Sequence, residues 1–517
     1  MKKENRRVVF KEYTMGQLQL PMDLETMIPE KHMVRVVSAS IEKMDLKPLL
    51  ERYKGGGTSS YHPKMMLKVL VYAYTQRIYS SRQIAKGLRE NVNFMWISGN
   101  NRPDFRTINR FRGEVMKGII EEIFASVMAL LIEEGYVKLE NYYLDGTKVE
   151  ANANKYSSVW AKNTRRYKRR VEEQIKELLE EIERVNEAEN EKYGDKDLEE
   201  LGEESTLDSE KLEKKIRELN ERLKKKTGDR KLANAVKTLE KDYLPRQKKY
   251  EEQERKLAGR NSYARTDQDA TFMRMKGDLP QKAQPKAGYN IQVGTENQFI
   301  VGFSLHQRAG DTDCMVAHLE RLREQAGRLP QRVVADAGYG SEENYVYLER
   351  EGVENFVKYK HFCKEQKRTW QKENYRVESW AYDGEHDEFI CPQGEKLTYR
   401  QTRHEKSKTG YLTERREYEC QECSGCPQKS HCTRSEGNRS VGVSLKLIRY
   451  RETVRRNLLS EQGKTLRSRR AVEVESVFGH IKHNWGFRRF TLRGLDKVRT
   501  EWGLLCIAHN MAKLAVQ

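Results

Sequence analysis

Arg332-Val333-Val334-Ala335-Asp336-Ala337-Gly338-Tyr339-Gly340 is the stretch on which the fold turns. A short apolar run that ends on an acid and then on glycines reads as a buried strand delivering a carboxylate at its tip. Glycines behind the acid let backbone and substrate approach closely. Upstream, Asn141-Tyr142-Tyr143-Leu144-Asp145-Gly146-Thr147-Lys148-Val149-Glu150 repeats the pattern, a strand with an acid near its end. Between the two, Gly288–Gly294 and Phe299–Leu305 read as an antiparallel strand pair, and Asp313 to about Ala326 as a helix. Asn355–Tyr359 follows as a further strand.

Strand, strand pair, helix, strand, helix, strand is the order expected of a ribonuclease H-like sheet. The expected fold class is an α/β ribonuclease H-like catalytic core with an N-terminal all-α domain, a helical coiled-coil insertion and a cysteine-rich insertion. The expected boundaries are a helical domain over 1–130, the first part of the core over 131–160 and a charged coiled coil over 161–256. The second part of the core then covers 257–360, the cysteine-rich insertion 361–460, and a helix with a basic C-terminus 461–517. Val171, Ile175, Leu178, Ile182 and Val185 follow a 4-3-4-3 spacing. Leu212, Ile216, Leu219 and Leu223 repeat it, as do Leu232, Val236, Leu239 and Tyr243, which predicts a seam in three pieces. Gly194, Gly202 and Gly228 mark the breaks, and Pro245 ends or kinks the last piece.

A chain of 517 residues exceeds one hydrophobic core. Its formal net charge of +19 favours a polyanionic partner, most often nucleic acid, although charge alone leaves a membrane-surface or ribosomal role open. No run of about 18 apolar residues exists, so no bilayer span is expected. Met1–Arg7 is charged and no apolar h-region follows, so no signal peptide is expected. The expected compartment is a reducing cytoplasm, where eight cysteines point to metal binding more than to disulfides.

In the N-terminal region Pro63 opens a helix whose apolar stripe is Met66, Leu67, Leu70, Val71 and Tyr74. Ser80 with Gln83 makes a capping-box pattern for a second helix. A third begins near Pro103, with Ile108 and Phe111 inward and Arg102, Arg106, Arg110 and Arg112 available to solvent. This suits a helix-turn-helix and, equally, a plain bundle with a solvated basic face.

Two-metal cleavage of a phosphodiester needs carboxylates that converge from different elements. Asp145 and Asp336 end strands, and Glu475 lies on a helix seven residues before Lys482, so carboxylate and ammonium share a face. Asp267, Asp269, Asp311, Asp313 and Glu473 compete for the same reading. Pattern alone ranks Asp336 first. After the glutamate, Arg488, Arg489, Arg493, Lys497 and Arg499 alternate with Trp485, Phe487 and Phe490. That mixture suits phosphate clamping with contact to unstacked bases, and equally a basic helix with its aromatics packed inward.

Cys391 is followed by Cys420, Cys423, Cys426 and Cys432, a strong zinc signal in a non-secreted chain. Cys391, Cys423, Cys426 and Cys432 form the preferred set, with Cys420 as alternate. Such a site would be structural. A zinc-dependent nuclease using these thiols is a weaker reading, because catalytic zinc keeps an open position.

Tyr143-Leu144-Asp145-Gly146-Thr147-Lys148, Val334-Ala335-Asp336-Ala337-Gly338-Tyr339-Gly340-Ser341 and Val474-Glu475-Ser476-Val477-Phe478-Gly479-His480-Ile481-Lys482 together resemble the three acidic segments of bacterial insertion-sequence transposases of the DDE superfamily. Asn484–Phe490, Leu492–Gly494 and Thr266–Ala270 also look like that family. The resemblance implies catalytic metal ligands Asp145, Asp336 and Glu475 holding two Mg²⁺ ions, with Mn²⁺ as a substitute. With the basic stretches already named, the expected DNA contacts are Lys482, Arg470, Arg488, Arg489, Arg493, Arg106 and Arg110. The resemblance also implies binding of terminal inverted repeats and target DNA, a homodimer in the DNA complex, and a place on the bacterial nucleoid. The alternative is a catalytically inactive, transposase-derived DNA-binding protein. One departure stands out: many relatives carry an arginine four residues before the glutamate and a tyrosine before that. Here those places hold Ala471 and Ser468.

Overall fold

The computed structural model describes residues 10–11, 23–53, 60–193, 208–225, 230–275, 284–371 and 375–516. The chain divides into two compact units, Met1–Val149 with Tyr289–Gln517, and Glu150–Gly288.

The first unit contains a mixed sheet. Its strands are β1 (Asn141–Glu150), β2 (Lys286–Glu296), β3 (Phe299–His306), β4 (Arg332–Ala335) and β5 (Glu354–Val357). The spatial order is β5-β4-β1-β2, with β3 on the far side of β2. β5 runs parallel to β4 and β4 parallel to β1, whereas β2 and β3 are antiparallel. Val333, Val334 and Ala335 are all buried, as expected of a parallel strand covered on both faces.

Helices of the N-terminal and C-terminal regions share one core with this sheet. α1 (Pro63–Thr75) starts at the predicted proline and is buried almost all round, not along a single stripe. Its Lys68 is fully buried and bonds Ser38 and Glu42. α2 (Ile120–Glu133), α3 (Met315–Ala326) and α4 (Glu342–Arg350) follow, then α5 (Glu461–Arg470) and α6 (Leu495–Leu514). α6 packs on α1, α2 and β3. A Cβ at Gly503 would meet Ile120 at 2.3 Å, so glycine lets α6 lie close to α2.

Two N-terminal expectations change. Ser80 sits at the N-cap of helix Ser81–Glu90, but its side chain makes no capping bond. Arg112 is buried rather than solvated, donating to the Tyr74 hydroxyl at 3.1 Å and the Tyr79 carbonyl at 2.7 Å. Arg102, Arg106 and Arg110 are exposed.

Residues 361–460 showed little apolar periodicity, yet they contain a five-stranded antiparallel sheet. Its strands, in spatial order, are β6 (Ala381–Asp383), β7 (Glu388–Ile390), β8 (Lys396–Lys406), β9 (Leu412–Cys420) and β10 (Ser440–Val443). Trp380, Phe389, Leu397, Tyr418, Val441 and Val443 form its core, together with Cys420 and Cys423. The long β8–β9 ribbon is mostly exposed and charged, with cross-strand ion pairs such as Arg403–Glu417 and Arg400–Glu419, which masks the alternation.

In the second unit the three spaced apolar sets meet in one buried cluster: Val171, Ile175, Ile182, Leu212, Ile216, Leu219, Leu232, Val236 and Leu239. Leu178, Leu223 and Tyr243 pack against it. Gly194, Gly202, Gly228 and the side chain of Val185 lie outside the described residues. Pro245 does not stop the last piece. A π-helical turn over Leu239–Tyr243 leads into helix Leu244–Leu257, where Pro245 is in the first turn and its missing N–H is not needed.

Candidate active site

Parallel register brings the two strand acids together. Leu144 of β1 is opposite Ala335 of β4, and that is the last pair of the ladder. The next residue on each strand is an acid, so Asp145 and Asp336 leave the ladder side by side. β1 itself runs on to Glu150, so Asp145 lies mid-strand, and what ends before it is the pairing with β4. Asp145 is buried, and its Oδ1 accepts the Gly146 N–H at 2.8 Å. Asp336 caps the following turn, its Oδ1 accepting the Gly338 N–H at 2.8 Å. A Cβ at Gly340 would meet the Lys358 carbonyl oxygen at 2.5 Å, so glycine lets this turn press against the chain beyond β5.

Glu475 arrives from the C-terminal region. α5 does not continue into it as a regular α-helix but passes through a π-helical turn over Ala471–Glu475. In a π turn the residue five positions on takes the place held by the fourth in an α-helix. Arg470 and Glu475 therefore share a face despite the extra residue. One guanidinium meets all three acids: Arg470 Nη2 lies 3.2 Å from Asp145 Oδ2 and 3.6 Å from Asp336 Oδ2, and Nη1 lies 3.9 Å from Glu475 Oε1. The arginine side chain is 12% exposed.

Electrostatics explains why a cation stands there. Two like charges about 4 Å apart repel by roughly 4 kcal/mol at an effective dielectric constant near 20. Three carboxylates facing one point need a countercharge, and Arg470 supplies one.

Glu473, the competing acid, faces elsewhere. It is buried, its Oε2 accepts the Gln298 N–H at 2.7 Å, and burial raises its pKa. Lys482 lies in a second π turn, His480–Asn484, and its Nζ donates to the Lys148 carbonyl at 2.7 Å, at the far end of β1.

Residues 22–114 match the family model described as a transposase domain (DUF772), and residues 390–515 match the one described as a transposase DDE domain. Both matches are to transposase families, which supports the resemblance to insertion-sequence DDE transposases. The DDE-domain match contains Glu475 and stops short of Asp145 and Asp336, which the β1–β4 register brings together. No match was found among curated proteins or among solved structures.

Arg488, Arg489 and Arg493, which follow Glu475 in the chain, are exposed, as are Arg106 and Arg110 on the N-terminal helices. The interleaved aromatics point the other way. Trp485, Phe487 and Phe490 are buried; Phe487 and Phe490 pack against Trp502 and each other, and Trp485 against His480. Of the two readings of that stretch, the inward one holds for the rings.

All five cysteines of the cluster, Cys391, Cys420, Cys423, Cys426 and Cys432, line one pocket and are free thiols. Burial, then the neighbouring Cys423, pushes the Cys420 thiol up to about 12, and burial also raises Cys432. Sequence reasoning missed a nearby trio. Donor atoms of Asp383, His386 and Glu388 lie within 4.8 Å of one another. His386 Nδ1 is 2.8 Å from Asp383 Oδ2, and Glu388 pairs with Lys396 at 2.5 Å, so hydrogen bonds and ion pairing account for the trio. Its only sequence signal is the acid-rich turn between β6 and β7. Among the described residues no helix is long and apolar enough to cross a membrane.

Proposed function

We propose that the protein binds the ends of an insertion sequence and catalyses metal-dependent DNA strand cleavage and strand transfer. The observation that carries this reading is the meeting of Asp145, Asp336 and Glu475 around one guanidinium. The three carboxylates offer only hard oxygen donors, which suit Mg²⁺, with Mn²⁺ as a substitute. Asp145, buried beside Asp336, would hold such ions together with Asp336 and Glu475. Such ions supply activation of the attacking oxygen and charge stabilisation at the leaving oxygen. Arg470 is the resident countercharge and turns to the scissile phosphate when the carboxylates engage metal. Water attacks at the transposon end and frees a 3′-hydroxyl, which then attacks target DNA in the same pocket.

Lys482, Arg488, Arg489 and Arg493 contact DNA beside the acids, and Arg106 and Arg110 contact the ends. Cys391, Cys423, Cys426 and Cys432 would hold a structural Zn²⁺, with Cys420 as alternate; all five thiols line one pocket. The domains are those bounded by residues 130, 160, 256, 360 and 460. The helical segment 161–256 and the cysteine-rich segment 361–460 are insertions in the ribonuclease H-like core. The protein works in the cytoplasm on the nucleoid, as a homodimer, because two ends must be joined.

The test is cleavage of labelled element-end DNA in Mg²⁺. Asp145→Asn, Asp336→Asn and Glu475→Gln each abolish cleavage while end binding persists in a gel shift. Cleavage retained in any one variant removes that residue from the assignment. A wild-type chain that binds ends without cutting them fits the inactive DNA-binding reading instead.

A further inference from the structure

A fourth acid lies against the first. Asp311 follows β3 and precedes α3. Its Oδ1 accepts from Asn290 Nδ2 at 2.8 Å and from Gln292 Nε2 at 2.9 Å. Asn290 and Gln292 are fully buried on β2, the neighbour of β1. Gln292 also donates to Asn290 Oδ1 at 3.2 Å and accepts from the Tyr339 hydroxyl, so its amide is fixed in one orientation. Tyr339 is fully buried three residues beyond Asp336.

On its other side Asp311 touches the turn of the first acid. A Cβ at Gly146 would meet Asp311 Oδ1 at 2.4 Å and Gln292 Nε2 at 2.7 Å. The glycine after Asp145 is thus required by the fourth acid, where the sequence suggested room for substrate. The adjacent Thr312 Oγ1 donates to the Gly338 carbonyl at 2.6 Å, and Asn344 Nδ2 joins the Thr312 and Tyr339 carbonyls at 2.9 and 2.7 Å. Asp311 and Thr312 therefore link the turn after Asp145 to the turn after Asp336.

The two amides need an acceptor, and a neutral one would serve. A carboxylate adds a negative charge beside a site that is already acidic. Among the described residues Asp311 has no ion-pair partner; Arg308 pairs with Asp313, at 3.2 Å. An unpaired charge held by a buried network next to three acids works toward a cation.

We propose that Asp311 is a positioning residue of the acid site: it fixes the Asp145–Gly146 turn and supplies a fourth negative charge that strengthens divalent-ion binding by the other three. This rests on the reading of those three as metal ligands.

The experiment titrates full-length protein with Mn²⁺ by electron paramagnetic resonance, taking the Asp145→Asn/Asp336→Asn double variant as the baseline for other sites. Asp311→Asn keeps an acceptor for both amides and loses the charge. Its expected dissociation constant is about tenfold weaker, at an unchanged melting temperature. Tyr339→Phe keeps the charge and frees Gln292; a smaller weakening, roughly two- to threefold, is expected, and this variant decides the matter if Asp311→Asn fails to fold. Asp313→Asn, on the outer side, binds as wild type. Wild-type affinity in both Asp311→Asn and Tyr339→Phe overturns the inference alone. No Mn²⁺ binding by the wild type above the double-variant baseline overturns the three-acid reading as well.

Discussion

Two glutamates two residues apart, Glu473 and Glu475, have opposite environments. Glu473 is enclosed and holds the Gln298 N–H; Glu475 has a side chain 62% exposed and faces Arg470. Residue-level chemistry singled out Asp336, because an acid after an apolar run is visible without coordinates, whereas Asp145 needed the strand order and the family resemblance. It could not separate the two glutamates, since both fit a basic helix and the turn that orients them is irregular. It also could not see that Arg112 is buried, since its partners Tyr74 and Tyr79 come from outside its own helix. The pair predicts a clean separation by substitution. Glu473→Gln keeps an acceptor for Gln298 and removes a buried carboxylate, so cleavage persists and stability shifts by no more than about 1 kcal/mol. Glu475→Gln leaves the melting temperature unchanged and loses cleavage. The reverse pattern in a paired cleavage and thermal-melt assay would make Glu473 the third acid.

At the scale of elements the informative feature is the π turn at Ala471–Glu475. It accounts for the missing arginine four residues before the glutamate: one extra residue is absorbed locally, and Arg470 still meets the acids. Spacing rules assume a regular helix, so a one-residue bulge defeats them. Deleting Ala471 should return this turn to α geometry and leave Arg470 four residues before Glu475. The expected variant melts within a few degrees of wild type and keeps cleavage. Deleting Ser468 from regular α5 rotates one part of the helix against the other and exposes Leu466 or Val474, both buried; a loss of about 2–5 kcal/mol is expected from losing such a side chain. Equal damage from both deletions, read by circular dichroism melts, would mean that the bulge is not the adjustable point. The strands of the core were legible because each is a compact apolar run. The five-stranded sheet of residues 381–443 was not, because ion pairs replace apolar contacts along much of its longest ribbon.

Across the whole molecule, stability should depend on pH through buried imidazoles. Burial lowers His306 to about 4, His318 to about 3 and His509 to about 4. His318 bonds the Tyr142 hydroxyl at 2.6 Å and Ser304 Oγ at 2.8 Å, and Ser304 bonds His306 at 2.7 Å. These rings stay neutral when folded and take a proton near pH 6.5 when unfolded. Their effect is absent above that pH and destabilising below it, down to the folded values, by up to about 1.4 kcal/mol per pH unit for each ring. Glu473 and Glu501, raised by burial, act in the opposite sense and offset part of the loss. Urea midpoints should therefore agree at pH 8 and 7 and fall at pH 6 and 5. A flat profile would mean that the rings reach solvent in the folded state. The size of the chain and its helical charged segment were readable from composition and spacing, but the sharing of one core by the N-terminal and C-terminal helices was not, since no local pattern records contacts between α1 and α6. That arrangement also sets a timetable. The bond from Lys482 to Lys148 closes across 334 residues of chain. At about 5–20 residues per second a ribosome takes roughly 15–70 s to cover that distance. For that interval the strand bearing Asp145 exists without the helical segment that brings Glu475 to it, so a nascent chain holds no complete three-acid cluster until that segment has been made.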